Sequence, residues 1–200
     1  MSKHNYIYFA SSNKDKLKEI KDILNDIGFK RLINKIKLAP HGFSVNENAS
    51  TFLGNAYKKA KTLSKKLKVY SFSDDSGFEV YALNKKPGLK SARLFNNGKG
   101  MIEIAKTMRS KKNKNCRFAC AIVLTDPKGE ILFKTTKYWY GLVADKPLGN
   151  NGFGYDPIFL IPHLNKTSAQ LSSRLKNKIS HRSMAITEIK KWMIKNNFLS

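Results

Sequence analysis

Apolar residues along this chain follow two rhythms, and the switches between them outline the fold. Residues 6–10, Tyr-Ile-Tyr-Phe-Ala, are a short continuous apolar run of the kind a buried strand uses. After Ser11-Ser12-Asn13 the spacing changes. Leu17, Ile20, Ile23, Leu24 and Ile27 recur every third or fourth position and predict an amphipathic helix. Ser12 or Asn13 is its natural N-cap and Gly28 its natural stop. A strand is expected around residues 33–38, then a loop holding Pro40 and Gly42. A second helical stripe, Phe52, Ala56, Ala60 and Leu63, ends near Leu67.

Beyond it the pattern shortens. Strands are predicted over residues 69–73 and 78–83, with Lys85-Lys86-Pro87-Gly88 as a turn. A short helix covers 100–108. Residues 117–124 and 130–138 read as a hairpin around Asp126-Pro127-Lys128-Gly129, and Leu142-Val143-Ala144 as a third strand. Residues 149–156 form a glycine-rich loop. Ser172 or Ser173 opens a helical region that breaks near Ser180 and resumes through Trp192. Strands and helices in this order imply an α/β or α+β sheet with helices on its faces. There is no internal repeat or low-complexity linker, so a single domain over residues 1–200 is expected.

Composition narrows the class. No apolar run approaches the roughly 20 residues of a membrane-spanning helix, and the apolar part of the N-terminal stretch is too short for a secretory signal. A soluble cytoplasmic protein is the expectation. Cys116 and Cys120 lie four residues apart in a predicted strand, where their Cα atoms would be about 13 Å apart, too far to bridge. Two cysteines do not make a four-ligand zinc site either. They read as packing residues of a reducing compartment.

Charge leaves two readings open. The chain has 38 Lys and Arg against 14 Asp and Glu, a net charge of +24. That balance suits a polyanion partner such as a nucleic acid. The lysines are dispersed, however, and accompany many Asn and Ile, as a drift of codons toward A and T would produce.

Against this background Ser73-Asp74-Asp75-Ser76-Gly77 stands out. Paired acids at the end of an apolar run are explained most simply by a divalent cation. Mg²⁺ takes one or two carboxylates and fills its other positions with water and substrate phosphates. The plainer alternative is a polar turn. Other segments have the same double character. Ser11, Ser12, Asn13, Lys14, Asp15 and Lys16 meet the start of a helix, where free N–H groups and a partial positive charge suit phosphate; an ordinary capped helix would look alike. Glu47 precedes a helix on which Asn55 and Lys59 share a face, either a phosphate contact or a solvated charged surface. Phe153, Gly154, Tyr155 and Asp156 lie in the glycine-rich loop, where an aromatic ring could stack on a base or simply pack inward. Lys176, His181 and Arg182 offer donors to a purine edge, or a helix cap and a structural histidine.

Together these segments supply phosphate donors, metal ligands, a stacking ring and base-edge donors. Their wording and order resemble the Ham1-like family of inosine/xanthosine triphosphate pyrophosphatases, house-cleaning nucleotide hydrolases. The resemblance runs from Ile7 to about Trp192. Its carriers are Phe9-Ala10-Ser11-Ser12-Asn13-Lys14-Asp15-Lys16, Thr51-Phe52-Leu53-Gly54-Asn55-Ala56-Tyr57-Lys58-Lys59-Ala60 and Ser73-Asp74-Asp75-Ser76-Gly77-Phe78-Glu79-Val80. Pro87-Gly88 with Ser91-Ala92-Arg93, Gly152-Phe153-Gly154-Tyr155-Asp156-Pro157-Ile158-Phe159 and Ile179-Ser180-His181-Arg182 complete it.

The resemblance implies Mg²⁺-dependent hydrolysis of ITP, dITP and XTP to the monophosphate and pyrophosphate, cleansing the nucleotide pool. It implies an elongated α/β fold around a long, strongly twisted mixed sheet flanked by helices, two lobes about a central cleft, and a homodimer with no requirement for nucleic acid. By motif match, Ser11 to Lys16 and Lys59 hold the triphosphate. Glu47, Asp74 and Asp75 serve the metal, with Asp75 the proton acceptor, and Ser76 contacts substrate. Phe153 to Asp156, Lys176, His181 and Arg182 hold the nucleoside. The chain departs from the family in having Ser12 where Gly is usual, Asn48-Ala49 after Glu47 where Thr-Gly is frequent, and Lys85-Lys86 before Pro87. A basic nucleic-acid-binding domain without hydrolase activity is the competing expectation.

Overall fold

The computed structural model describes residues 6–198. Its elements in chain order are β1 (Ile7–Phe9), α1 (Lys14–Asp26), α2 (Lys30–Ile33), β2 (Ile36–Leu38), α3 (Phe52–Leu67), β3 (Tyr70–Val80), β4 (Lys86–Pro87), α4 (Ser91–Phe95), α5 (Lys99–Met108), β5 (Asn115–Thr125), β6 (Ile131–Val143), β7 (Phe159–Ile161), β8 (Lys166–Thr167), α6 (Ser173–Ile179) and α7 (His181–Lys195). The strands form one 8-stranded mixed sheet in the order β2-β1-β3-β5-β6-β7-β8, with β4 also paired to β3. β1 runs parallel to both β2 and β3; β4, β7 and β8 pair antiparallel. The α/β expectation is met.

The chain divides into two compact units. The first holds the chain up to Asp75, Cys120–Lys137 and the chain from Arg182 onward; the second holds Ser76–Ala119 and Tyr138–His181. Strands β3, β5 and β6 run from one into the other. The first unit's core gathers Ile7 and Phe9 of β1, Ile20, Ile23 and Leu24 of α1, Phe72 of β3, Ile122 and Leu124 of β5, and Ile186 and Ile189 of α7. Among them, Ile20, Ile23 and Leu24 belong to the stripe that predicted α1, and Ile7 and Phe9 to the apolar run that predicted β1. The second unit's core is aromatic: Phe78, Phe118, Trp139, Tyr155 and Phe159 lie ring against ring.

Helix ends follow local chemistry. Asn13, not Ser12, caps α1: its side chain accepts the Lys16 N–H at 3.0 Å. Thr51 caps α3 through Gly54 N–H, and Ser172 caps α6 through Leu175 N–H. The break near Ser180 is the junction of α6 and α7.

Two expectations are corrected. The strands predicted on either side of Ser73-Asp74-Asp75-Ser76-Gly77 are one strand of 11 residues, β3, with the acids in its middle. Likewise, the hairpin arm at 130–138 and the segment at 142–144 belong to a single 13-residue strand, β6. Cys116 and Cys120 are free and buried, as their spacing implied. No helix among the described residues is long and apolar enough to cross a membrane.

Candidate active site

Successive residues of a strand face opposite sides of the sheet, and β3 uses this to separate its two acids. Asp74 is 1% exposed. Lys16, from the first turn of α1, reaches its Oδ1 at 3.2 Å. Arg182, from the first turn of α7, donates to its Oδ2 at 3.2 Å and to Glu19 Oε2 of α1 at 2.5 Å. Burial alone would push the Asp74 carboxyl up. Lys16, Arg182 and Lys59 more than offset that and hold it well below the usual carboxylate range. The same cluster explains how an acid can sit mid-strand: an unpaired buried charge costs several kcal/mol, roughly, and here it is paired twice.

Asp75 faces α3. Asn55 Nδ2 donates to its Oδ2 at 3.1 Å, and Lys59 Nζ lies 3.5 Å from its Oδ1. The same Lys59 ammonium reaches Glu47 Oε1 at 2.8 Å. Asn55 also accepts the Ala49 N–H at 2.9 Å, and Lys58 donates to Asn48 Oδ1 at 2.6 Å. Asn55, Lys58 and Lys59 of α3 therefore pin the segment that carries Glu47. Gly54 lets that segment close on the helix, since a Cβ there would meet Ala49 Cβ at 2.8 Å. Burial raises the Asp75 pKa, and neighbouring Glu47 raises it further; Lys59 and Lys16 do not fully offset them. Lys59 shows the complementary balance. Burial would lower it, but Asp75, Asp74 and Glu47 together hold it above its ordinary value.

The donor set suits a hard divalent cation in its usual protein setting, one or two carboxylates with the remaining positions left to water and phosphate. Glu47 and Asp75 converge on one positive charge, and their mutual repulsion is the kind of energy a cation relieves. Among the described residues no group of three or more His, Cys, Asp or Glu forms a closed metal cage. Asp74 is differently placed, with both oxygens already engaged by cations. Beside these groups Ser11, Ser12 and Asn13 form the β1–α1 turn, and Lys14 and Asp15 open α1. Ser12 to Asp15 are exposed there, and Ser11 Oγ accepts the Asn13 N–H.

The second unit carries the remaining candidates. In the glycine-rich loop Asp156 is buried and shapes the backbone. Its Oδ2 accepts Phe153 N–H at 2.8 Å and takes Lys176 Nζ at 2.6 Å. Gly152 has φ +76°, and a Cβ there would meet Asp156 Oδ2 at 2.1 Å, so glycine is required. This arrangement leaves Phe153 46% exposed, with the Lys176 ammonium 5.2 Å from its ring centroid. Tyr155 faces the opposite way. It stacks on Phe78 at 5.0 Å, donates to Ser91 O at 3.1 Å, and burial pushes its phenol up to about 12. Phe153 is thus the ring that the loop leaves open to solvent, and Tyr155 is core. Gly154 keeps φ +63° beside open space. His181 is buried against aromatic rings, stacked nearly parallel on Phe118 with centroids 4.8 Å apart. Ser76 is the next residue of β3 after Asp75 and is half-buried.

The sequence-derived candidates therefore fall into two groups. Ser11 to Lys16, Glu47, Lys59, Asp74, Asp75 and Arg182 belong to the first unit; Ser76, Phe153 to Asp156, Lys176 and His181 belong to the second. Glu19 was missed by sequence reasoning. Its only local signal is a place one turn beyond Lys16 on α1. Asn55 was visible as sharing a face with Lys59, but its grip on both Asp75 and the Glu47 segment depends on β3 lying against α3.

Comparisons with known proteins find relatives over most of the chain. A family model described as the Ham1 family matches residues 7–192. A dITP/XTP pyrophosphatase from Staphylococcus aureus strain MW2 is 40% identical over 185 residues, 90% of this chain and 92% of the relative. A dITP/XTP pyrophosphatase from Gloeobacter violaceus is 36% identical, covering 92% of each chain. The structure of the Staphylococcus aureus Ham1 protein aligns with a TM-score of 0.81 at 33% identity, covering 96% of this chain and 99% of that one. A HAM1 protein from Coxiella burnetii aligns at 0.80 and 30% identity, covering 95% of this chain and 98% of that one.

Proposed function

The chain belongs to the Ham1 family, and on that premise we propose that it is an enzyme hydrolysing non-canonical purine nucleoside triphosphates, ITP, dITP and XTP, to the monophosphate and pyrophosphate. The observation that carries the chemistry is the convergence of Glu47 and Asp75 on Lys59, beside the free face of a capped helix start. The nucleic-acid-binding alternative draws on net charge alone.

The roles follow from the local physics. Glu47 and Asp75 are the residues suited to hold Mg²⁺, which when bound would neutralise phosphate charge and polarise water. Asp74 serves that pair indirectly, by fixing Lys16 and Arg182. Asp75, with its proton affinity raised by burial, accepts the proton of the attacking water. Water adds at the α-phosphorus and the bond to the β-phosphate oxygen breaks. Lys16 and Lys59 stabilise the charge that develops on the departing pyrophosphate. The exposed N–H groups of the β1–α1 turn, with Ser11, Ser12, Asn13, Lys14 and Asp15 around them, receive the triphosphate.

In the second unit Phe153 offers the base a stacking surface worth roughly 1–3 kcal/mol. Lys176 and His181 border the nucleoside, Asp156 and Gly154 set the loop's shape, and Ser76 touches substrate. Selection between ITP and ATP turns on purine position 6, a carbonyl in one and an amino group in the other. A site that must leave polar groups unpaired against the wrong base rejects it strongly. A homodimer working in a reducing cytoplasm fits the family and the free buried thiols.

The deciding experiment is pyrophosphate release from ITP, dITP, XTP, ATP and GTP, with and without Mg²⁺. The expected result is turnover of the first three only, abolished by chelation. No release from any of them, or equal release from ATP, defeats the reading.

A further inference from the structure

One ammonium stands between the two carboxylates suited to the metal. Lys59 Nζ lies 2.8 Å from Glu47 Oε1 and 3.5 Å from Asp75 Oδ1. The other oxygen of Asp75 accepts from Asn55 at 3.1 Å. The acids come from different segments, Glu47 from the stretch between β2 and α3 and Asp75 from β3, and like charges brought together repel. Lys59 is what joins them. It takes the position that suits a divalent cation, a positive charge shared by two acids from separate segments. Lysine fits a temporary holder, because its charge is a point at the end of a flexible stem with three donors. Lys16 is placed otherwise. It binds Asp74, whose second oxygen is taken by Arg182, so it competes for neither of the metal's acids.

We propose that Lys59 is an internal stand-in for the divalent ion: it holds Glu47 and Asp75 together and gives up their oxygens when the ion claims them. The proposal rests on the reading of those two acids as the metal's ligands. An oxygen bonded to Mg²⁺ at about 2.0–2.1 Å cannot keep a full-strength hydrogen bond to an ammonium, and the two cations repel. The two contacts of Lys59 differ in strength. The one to Asp75 is at the long limit for a hydrogen bond, whereas the one to Glu47 is of ordinary length. Glu47 has a side chain 37% exposed on a stretch without helix or strand, so it is free to turn toward an incoming ion. The Lys59 side chain is only 10% exposed, and its charge is costly to leave unpaired there. The triphosphate supplies its next partner. Ion and phosphate therefore favour each other's binding, and by reciprocity to the same degree. The ion frees Lys59 for the phosphates, and the phosphates receive the ammonium that the ion displaces.

Mn²⁺ binding to phosphate-free protein, read from the EPR signal of the free ion, tests this without turnover, since Mn²⁺ takes the same oxygen sites as Mg²⁺. Lys59→Met is expected to bind the ion about 10-fold more tightly than the parent, or better. Lys61→Met removes the same charge from another face of α3 and is expected to stay within about 3-fold of the parent. Equal affinity in Lys59→Met and the parent overturns the stand-in role, as does a gain in Lys61→Met as large as that in Lys59→Met. Because Lys59→Met leaves two acids facing each other, its thermal midpoint is measured too. That midpoint is expected to rise with Mn²⁺ by more than the parent's does; a variant left unfolded in saturating Mn²⁺ overturns the role as well. Glu47→Gln, placed in the parent and in Lys59→Met, separates this inference from the reading beneath it. It is expected to weaken Mn²⁺ binding at least about 10-fold in both. Undiminished binding defeats the metal reading of Glu47 and the stand-in with it. Weakened binding with no gain from Lys59→Met defeats the stand-in alone. Pyrophosphate release from the parent tests the enzyme reading separately.

Discussion

The two sides of β3 at Asp74 and Asp75 carry the same functional group in opposite conditions. On one side Asp74 is enclosed, with Lys16 and Arg182 on its oxygens and Glu19 bracing the guanidinium from behind. On the other, Asp75 accepts from the Asn55 amide and shares the Lys59 ammonium with Glu47, and its proton affinity is raised. Two acids adjacent in sequence thus differ in direction of shift because the helices packed against each face differ. α1 and α7 deliver full positive charge to Asp74, whereas α3 delivers to Asp75 a cation that Glu47 also claims. The closed side holds the strand together, and the contested side keeps a carboxylate available for chemistry.

The sharpest way to break this contrast is Asp75→Asn. Turnover of ITP is expected to fall about 10²–10⁴-fold, the usual worth of a positioned proton acceptor, while titration still detects ITP binding. Stability should hold or rise slightly. A carboxyl whose folded pKa lies above its unfolded value is disfavoured in its ionised form by folding, and the amide removes that cost at neutral pH. Near-normal turnover would remove Asp75 from the reaction.

Arg182→Ala should act oppositely. It leaves Asp74 and Glu19 buried with a partner lost, and about 3–5 kcal/mol of stability is expected to disappear, read from the denaturant midpoint. If stability is untouched and the preference for ITP over ATP collapses instead, the guanidinium serves the base, as the family resemblance implied. Asn55→Ala is expected to cost about 1–3 kcal/mol, the penalty for a buried hydrogen-bond partner removed. It should also lower turnover, because the segment holding Glu47 loses an anchor. Glu19→Gln, which keeps the shape and drops the charge, should be smallest, about 1 kcal/mol, with turnover per folded molecule unchanged.

Much of this molecule could be read from spacing. The α1 and α3 stripes are long and strictly periodic, so their buried faces, Ile20–Ile23–Leu24 and Ala56–Ala60–Leu63, lie where periodicity put them. What misled was β3. Two acids and a glycine mark a turn by local rules, and the chain instead continues as a strand because cations from three distant helices make those acids tolerable. Local propensity cannot register partners 58 and 108 residues away in sequence. The same limit hid Glu19, whose meaning comes from Arg182, 163 residues later. In the glycine-rich loop the residue types were informative but their orientation was not. Phe153 and Tyr155 look equivalent in sequence, and the carboxylate of Asp156 beneath Gly152 turns one outward while Phe78 and Ser91 take the other inward.

β3 is aligned to β1 by the parallel pairing Ile7↔Tyr70 and Phe9↔Phe72. Sliding that pairing by one position would exchange every side chain between the two surfaces of the sheet. Asp75 would then be presented to Lys16 and Arg182, and Asp74 to Asn55 and Lys59. The small contact between Phe9 and Phe72, ring centroids 5.0 Å apart, lies in the one register that sends each acid to its own partners: a chain zipped up one notch out of step would keep all its ingredients and lose its trade.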